Sequence, residues 1–132
     1  MKLITRDTDY AIRTLCFMAD DSEKIFTTKE LVKKLNIPWP FLRKILQILH
    51  KNNILKAFKG KGGGFLLKKS VDEIYLLDLM NIFQGKFNLI QCLFKKKFCP
   101  RINICKLRKK LKKMEGYLLN ELKKISLGSL LK

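Results

Sequence analysis

Hydrophobic positions recur first with a helical period, then in two short blocks around a run of glycine, then with a helical period again. In TDYAIRTLCFMAD, Ala11, Ile12, Leu15, Phe17, Met18 and Ala19 have helical spacing, which predicts a first core helix. Asp9 stands at its N-terminal end, where a carboxylate suits the helix dipole. TTKELVKKLNI predicts a second helix: Thr27 and Glu30 match a capping box, Leu31, Val32 and Leu35 make its apolar face, and Asn36 ends it. PWPFLRKILQILHKNN predicts a third, with Pro38 and Pro40 tolerable only near its start. There Phe41, Leu42, Ile45, Leu46 and Leu49 bury one side, and Arg43, Lys44, Gln47, His50 and Lys51 occupy the other. A short helix, a tight connection and a longer helix with an exposed basic face form the helix-turn-helix pattern.

ILKAFKGKGGGFLLKK then sets two short apolar runs around a glycine turn, which predicts a β-hairpin. A hairpin directly after a recognition helix is a wing. GKGGGF is not a nucleotide loop: a Walker A loop needs Ser or Thr where Gly62 follows Lys61, and a Rossmann fingerprint needs a glycine where Phe65 stands. Ser70 and Glu73 match another capping box ahead of IYLLDLMNIFQG, which Gly85 stops. CLFKKKFCPRINIC reads as an irregular loop interrupted by Pro100. From about Ile104 to Leu127 the pattern is helical again, and Leu107, Leu111, Met114, Leu118, Leu122 and Ile125 are spaced 4, 3, 4, 4, 3. This near-heptad stripe among lysines predicts a helix that pairs with a second copy of the chain, the alternative being a helix packed on its own domain. The expected fold is mainly α with a small β-hairpin wing. It comprises a winged helix-turn-helix domain over 1–85, a cysteine loop over 86–106, and a dimerisation helix and tail over 107–132.

Composition narrows the function. A chain of 132 residues that is 47% hydrophobic can bury a core, which excludes a disordered polymer. The net charge of +18 must lie on the surface and points to a polyanionic partner, unless it only reflects a lysine-biased proteome. On the winged-helix reading the partner is double-stranded DNA. Arg43, Lys44 and Gln47 face the major groove, with Trp39, Pro40 and Lys51 on the same helix. Lys59, Lys61, Gly62 and Gly63 form the wing tip, where glycine lets the backbone approach and lysine meets phosphate or the minor groove. Trp39 has two readings, a contact to sugar or a thymine methyl, or packing against the wing. His50, the single histidine, reads as a surface or phosphate-contacting residue.

The start MKLITRDTDY puts charges where a signal peptide needs apolar residues, and no run approaches the roughly 18 apolar residues of a membrane span. A cytoplasmic protein without membrane partners is expected. Thiols stay reduced there, so three cysteines in one stretch suggest metal or redox chemistry rather than disulfides. Cys16 stands among core residues and reads as a buried, inert thiol. One histidine and scattered acids offer no catalytic constellation, so the chain is not read as an enzyme.

RDTDYAIRTL, LVKKLNIPWPFLRKILQIL and KGKGGGF, with three cysteines before a long helix, resemble the winged-helix transcription regulators that include IscR and NsrR. The resemblance runs from Met1 to about Ile125. It implies a homodimer with crossed C-terminal helices, acting as a repressor on a partly palindromic duplex. It also implies an iron–sulfur cluster, [4Fe-4S] or [2Fe-2S], held by Cys92, Cys99 and Cys105, whose state controls DNA affinity in response to nitric oxide, redox state or iron–sulfur status. Where one branch takes a histidine as fourth ligand, this chain has Arg108, which stays protonated. The other branch uses an aspartate of the partner subunit's first helix, which corresponds to Asp9, with Asp7 a weaker candidate. The stretch between Cys92 and Cys99 is one residue longer than is usual in that family. Lys95, Lys96 and Lys97 either offset the charge of a thiolate-bound cluster or form a solvated turn. Zinc on the same residues is an alternative, weakened by the absence of a close C-x-x-C-type pair. A regulator without metal, and a basic binder of RNA or anionic membrane surfaces, are the others.

Overall fold

The five helical patterns of the sequence become helices whose ends are set by local chemistry. The computed structural model describes residues 2–89, 100–101 and 103–131, together with the backbone of 93–94 and 97–98. In chain order the elements are α1 (Arg6–Ala19), α2 (Thr28–Leu35), α3 (Trp39–Lys51), β1 (Leu55–Phe58), β2 (Gly64–Leu67), α4 (Leu76–Gln84), β3 (Leu93–Phe94), β4 (Lys97–Phe98) and α5 (Lys106–Lys123). Short 3-10 turns lie at Val71–Glu73 and Gly128–Leu131. Thr27 caps α2 by accepting the Glu30 N–H at 3.1 Å, and Asn36 closes the helix in the left-handed conformation, φ 55°. Pro38 is the N-cap of α3 and Pro40 lies in its first turn, where neither removes a helical hydrogen bond.

One core joins these elements. Ala11, Leu15 and Met18 of α1, Leu31 of α2, and Leu42, Ile45, Leu46 and Leu49 of α3 pack with Ile54, Leu55, Ile74, Leu79 and Leu127. Each fully covered leucine or isoleucine contributes about 1.5–3 kcal/mol relative to exposure. The β1–β2 hairpin is antiparallel, from Leu55↔Leu67 to Phe58↔Gly64. Phe26, just before α2, bridges to Phe65 with N–H···O bonds of 2.8 Å in both directions, which ties the hairpin to the helices. A Cβ on Gly64 would lie 2.3 Å from the Phe26 carbonyl oxygen, so this close approach demands glycine.

The structure departs from the sequence reading in three places. Ser70 does not cap α4: its Oγ accepts the Asp72 N–H at 3.3 Å and caps the 3-10 turn. The helix begins later because Ile74 to Leu76 runs extended against Ile125 to Leu127. There Leu76 N–H donates to Ile125 O and Leu127 N–H to Ile74 O, both at 2.8 Å. Tertiary pairing has overridden a local helical pattern. Second, the expected irregular loop contains a minimal antiparallel pair, β3–β4, with Leu93↔Phe98 and Phe94↔Lys97. Third, α5 ends at Lys123 rather than Leu127, and its C-terminal end packs inward. Leu122 joins Leu77 and Met80, and Leu127 enters the main core.

Candidate nucleic-acid interface and cysteine segment

The burial of Leu42, Ile45, Leu46 and Leu49, each 0% exposed, leaves the opposite side of α3 facing solvent. Trp39, Pro40, Arg43, Lys44, Gln47, His50 and Lys51 are all exposed there. The Arg43 guanidinium carbon lies 5.2 Å from the Trp39 ring centroid, one turn away on the same helix. Trp39 therefore lies within cation–π distance of Arg43 and is 45% exposed, rather than buried against the wing. Lys44 Nζ is 3.7 Å from Asp7 Oδ2, and the Arg6 guanidinium sits 4.1 Å from the Phe41 ring centroid. The start of α1 is thereby held against the first half of α3, a contact that sequence patterning did not reveal. His50 Nδ1 donates to the Leu55 carbonyl at 3.2 Å, joining the end of α3 to the first strand of the wing.

The wing turn runs from Lys59 to Gly63. Gly60 and Gly62 adopt φ of 88° and 74°, and a Cβ on Gly63 would meet the Phe58 carbonyl oxygen at 2.3 Å. Turn geometry thus requires the glycines, and Lys59 and Lys61 remain as the exposed side chains of the tip. A helix face offering guanidinium, ammonium and amide donors, followed by a basic tip with bare backbone, can meet phosphates and base edges together.

The cysteine segment is only partly described. Cys105 is the N-cap residue of α5, half-buried, with its Sγ accepting the Arg108 N–H at 3.4 Å. Cys92 and Cys99, and Lys95 and Lys96, lie outside the described residues. Asp9 lies in the first turn of α1, half-exposed, with its carboxylate paired to Arg13 at 2.8 Å. Among the described residues no three His, Cys, Asp or Glu side chains come together. Arg108 Nε is buried with no hydrogen-bond partner among the described residues. Burial, reinforced by Asp20, pushes the Cys16 thiol up, which suits an inert residue.

Two polar residues missed in the sequence organise the approach to this segment. Gln84 Oε1 accepts Thr5 N–H at 2.9 Å and the Thr8 hydroxyl at 2.8 Å, while its Nε2 donates to Leu3 O at 3.0 Å. It stitches the entry of α1 to the end of α4. Glu115 is buried and accepts Leu89 N–H at 2.9 Å and Lys112 Nζ at 3.1 Å. The Leu89 hydrogen bond, then Lys112, hold its carboxyl below the usual glutamate range. Its one signal in the sequence is the single acid near the end of the basic stretch KLRKKLKKMEG.

The apolar stripe of α5 divides. Leu107, Met114 and Leu118 are exposed, joined by Ile104 and Tyr117, while Leu111 is half-buried. Leu122 is only 5% exposed, covered by Leu77 and Met80, and Ile125 lies beyond the helix in the segment paired with Leu76. Leu122 therefore serves the chain's own packing, whereas the Ile125 side chain is half-buried and belongs to neither buried cluster. Among the described residues no helix is long and apolar enough to cross a membrane.

Comparison with known proteins agrees with this architecture. The Rrf2 family model, described as iron-dependent transcriptional regulators, matches residues 4–132. The HTH-type transcriptional regulator NsrR of Bacillus licheniformis is 31% identical over 121 residues, covering 89% of this chain and 84% of that protein. A transcriptional regulator of Listeria innocua superposes with a TM-score of 0.78 at 18% identity, covering 97% of this chain and 85% of the other. CymR, the global cysteine regulator of B. subtilis, superposes with a TM-score of 0.74 at 15% identity, covering 99% of this chain and 97% of the other.

Proposed function

The chain belongs to the Rrf2 family of transcriptional regulators, and on that premise we propose that it is a homodimeric, DNA-binding repressor, acting in the cytoplasm, whose affinity is set by an iron–sulfur cluster. The observation that supports DNA reading is the exposed face of α3, with Arg43, Lys44 and Gln47 over a fully covered apolar side. Arg43 and Gln47 donate to base edges, whereas Lys44, Lys51, Lys59 and Lys61 follow phosphates. The glycine backbone of the wing tip lets Lys59 and Lys61 approach closely. Two copies joined along Leu107, Leu111, Met114 and Leu118 would present two such faces to a partly palindromic duplex.

The donor chemistry fits a cluster. Thiolates are soft ligands for iron, and Cys105 presents its sulfur at the positive end of α5. Arg108 Nε one turn on, buried and without a hydrogen-bond partner among the described residues, is suited to an anionic group. Cys92, Cys99 and Cys105 would hold the cluster, with Asp9 of the partner subunit as a weak, exchangeable oxygen ligand. Such a cluster supplies reactivity toward nitric oxide or oxidants through its least tightly held iron. The protein's own share is to seat Cys105 on the same helix that carries the dimer stripe, so that a change at the cysteine segment reaches the pairing of the two DNA-reading halves.

Anaerobically purified protein should enrich an inverted-repeat duplex from a random pool and should be brown, with visible absorbance lost in Cys92→Ala. Absence of any enriched sequence overturns the DNA reading. A colourless, iron-free protein after anaerobic reconstitution overturns the sensor reading alone.

A further inference from the structure

Trp39 is the only tryptophan of the chain, and it fills no core position. It stands exposed at the start of α3, with the Arg43 guanidinium 5.2 Å from its ring centroid. The next residue, Lys44, pairs with Asp7, but among the described residues no carboxylate lies within ion-pair distance of Arg43. The backbone beneath the pair is fixed by fully buried Leu42, Ile45 and Leu46.

We infer that Trp39 is a positioning residue that holds Arg43 in its reading conformation. This rests on the DNA-reading proposal and extends it, because it assigns part of one reader's specificity to a side chain that touches no base. A guanidinium is planar. A guanidinium held over an indole face keeps its N–H edge free for two parallel hydrogen bonds, the geometry that guanine O6 and N7 accept. A solvated arginine loses rotamer freedom when it docks, and a stacked arginine has already lost part of it. The stack also strengthens once the interface excludes water. Lysine has no plane to stack, so Arg43→Lys does not preserve the device.

The test uses the duplex enriched by the wild-type protein and a scrambled duplex of the same composition. Trp39→Ala should weaken the enriched duplex about 2- to 5-fold and leave the scrambled one unchanged. Trp39→Phe should stay within about twofold of wild type, because a smaller aromatic face still stacks. In an Arg43→Ala background, removal of Trp39 should have no further effect on discrimination. Without DNA, Arg43→Ala should raise acrylamide quenching of the tryptophan fluorescence. Equal losses on both duplexes, additive effects of the two substitutions, or unchanged quenching would each overturn the inference. If the wild-type protein discriminates and the double-mutant cycle is additive, only this inference falls. If it enriches no duplex, the DNA reading falls and takes this inference with it.

Discussion

Gly64 and Glu115 each carry a constraint that their neighbours in sequence do not announce. Gly64 has φ 155°, and an added Cβ would strike the Phe26 carbonyl oxygen, whereas the space around Gly60 is open. Gly64→Ala should therefore destabilise the fold by roughly 1–3 kcal/mol and Gly60→Ala by less, as read from denaturant midpoints. The glycine run was legible as a turn. Which glycine bears a close approach was not, because the atom that approaches belongs to the segment before α2. Glu115 shows the electrostatic counterpart. Its folded carboxyl is held below its ordinary value by Leu89 N–H and Lys112. Its contribution is thus fully present above the unfolded glutamate value of about 4.3 and is lost as pH falls through the folded value. Glu115→Gln should cost about 1 kcal/mol at pH 7, with the gap to wild type closing in acid, which thermal melts across pH can follow.

Helix α5 shows what periodicity can and cannot say about an element. An apolar stripe at heptad spacing was legible, and so was the helix itself. The partner of each position was not, because the same spacing serves a second chain or the chain's own core. Burial separates them. Leu127 is fully covered by the main core, so Leu127→Ala should destabilise the chain by about 2–4 kcal/mol in equilibrium unfolding. Leu107 is 61% exposed, so Leu107→Glu should leave α5 helical by circular dichroism while sedimentation equilibrium shifts toward monomer. The helix-turn-helix and the wing read well from sequence because each carries its own caps, prolines or glycines. The delayed start of α4 did not, since it depends on pairing with residues at the other end of the chain.

The charge of the whole molecule sets how it should respond to salt. With a formal charge of +18, affinity for any duplex should fall steeply as salt rises. Lys59→Ala should weaken binding to all sequences alike and reduce the slope of log K against log salt by about 1, measurable by anisotropy titrations. Arg43→Ala should instead cost about 1–3 kcal/mol on the preferred sequence alone. One further consequence follows from the short pairing of Ile74 to Leu76 with Ile125 to Leu127. Helix α5 has 18 residues, about 27 Å of rigid rod, with Cys105 at one tip and this pairing just beyond the other. It is a lever held in a clamp. A sideways shift of about 2 Å at the cysteine tip would turn the rod by only about 4°, and the clamp ties its far end to the entrance of α4 and, through Ile74 and Leu127, to the main core. Slackening the clamp would disconnect the two ends while leaving every cysteine and every DNA-facing side chain in place.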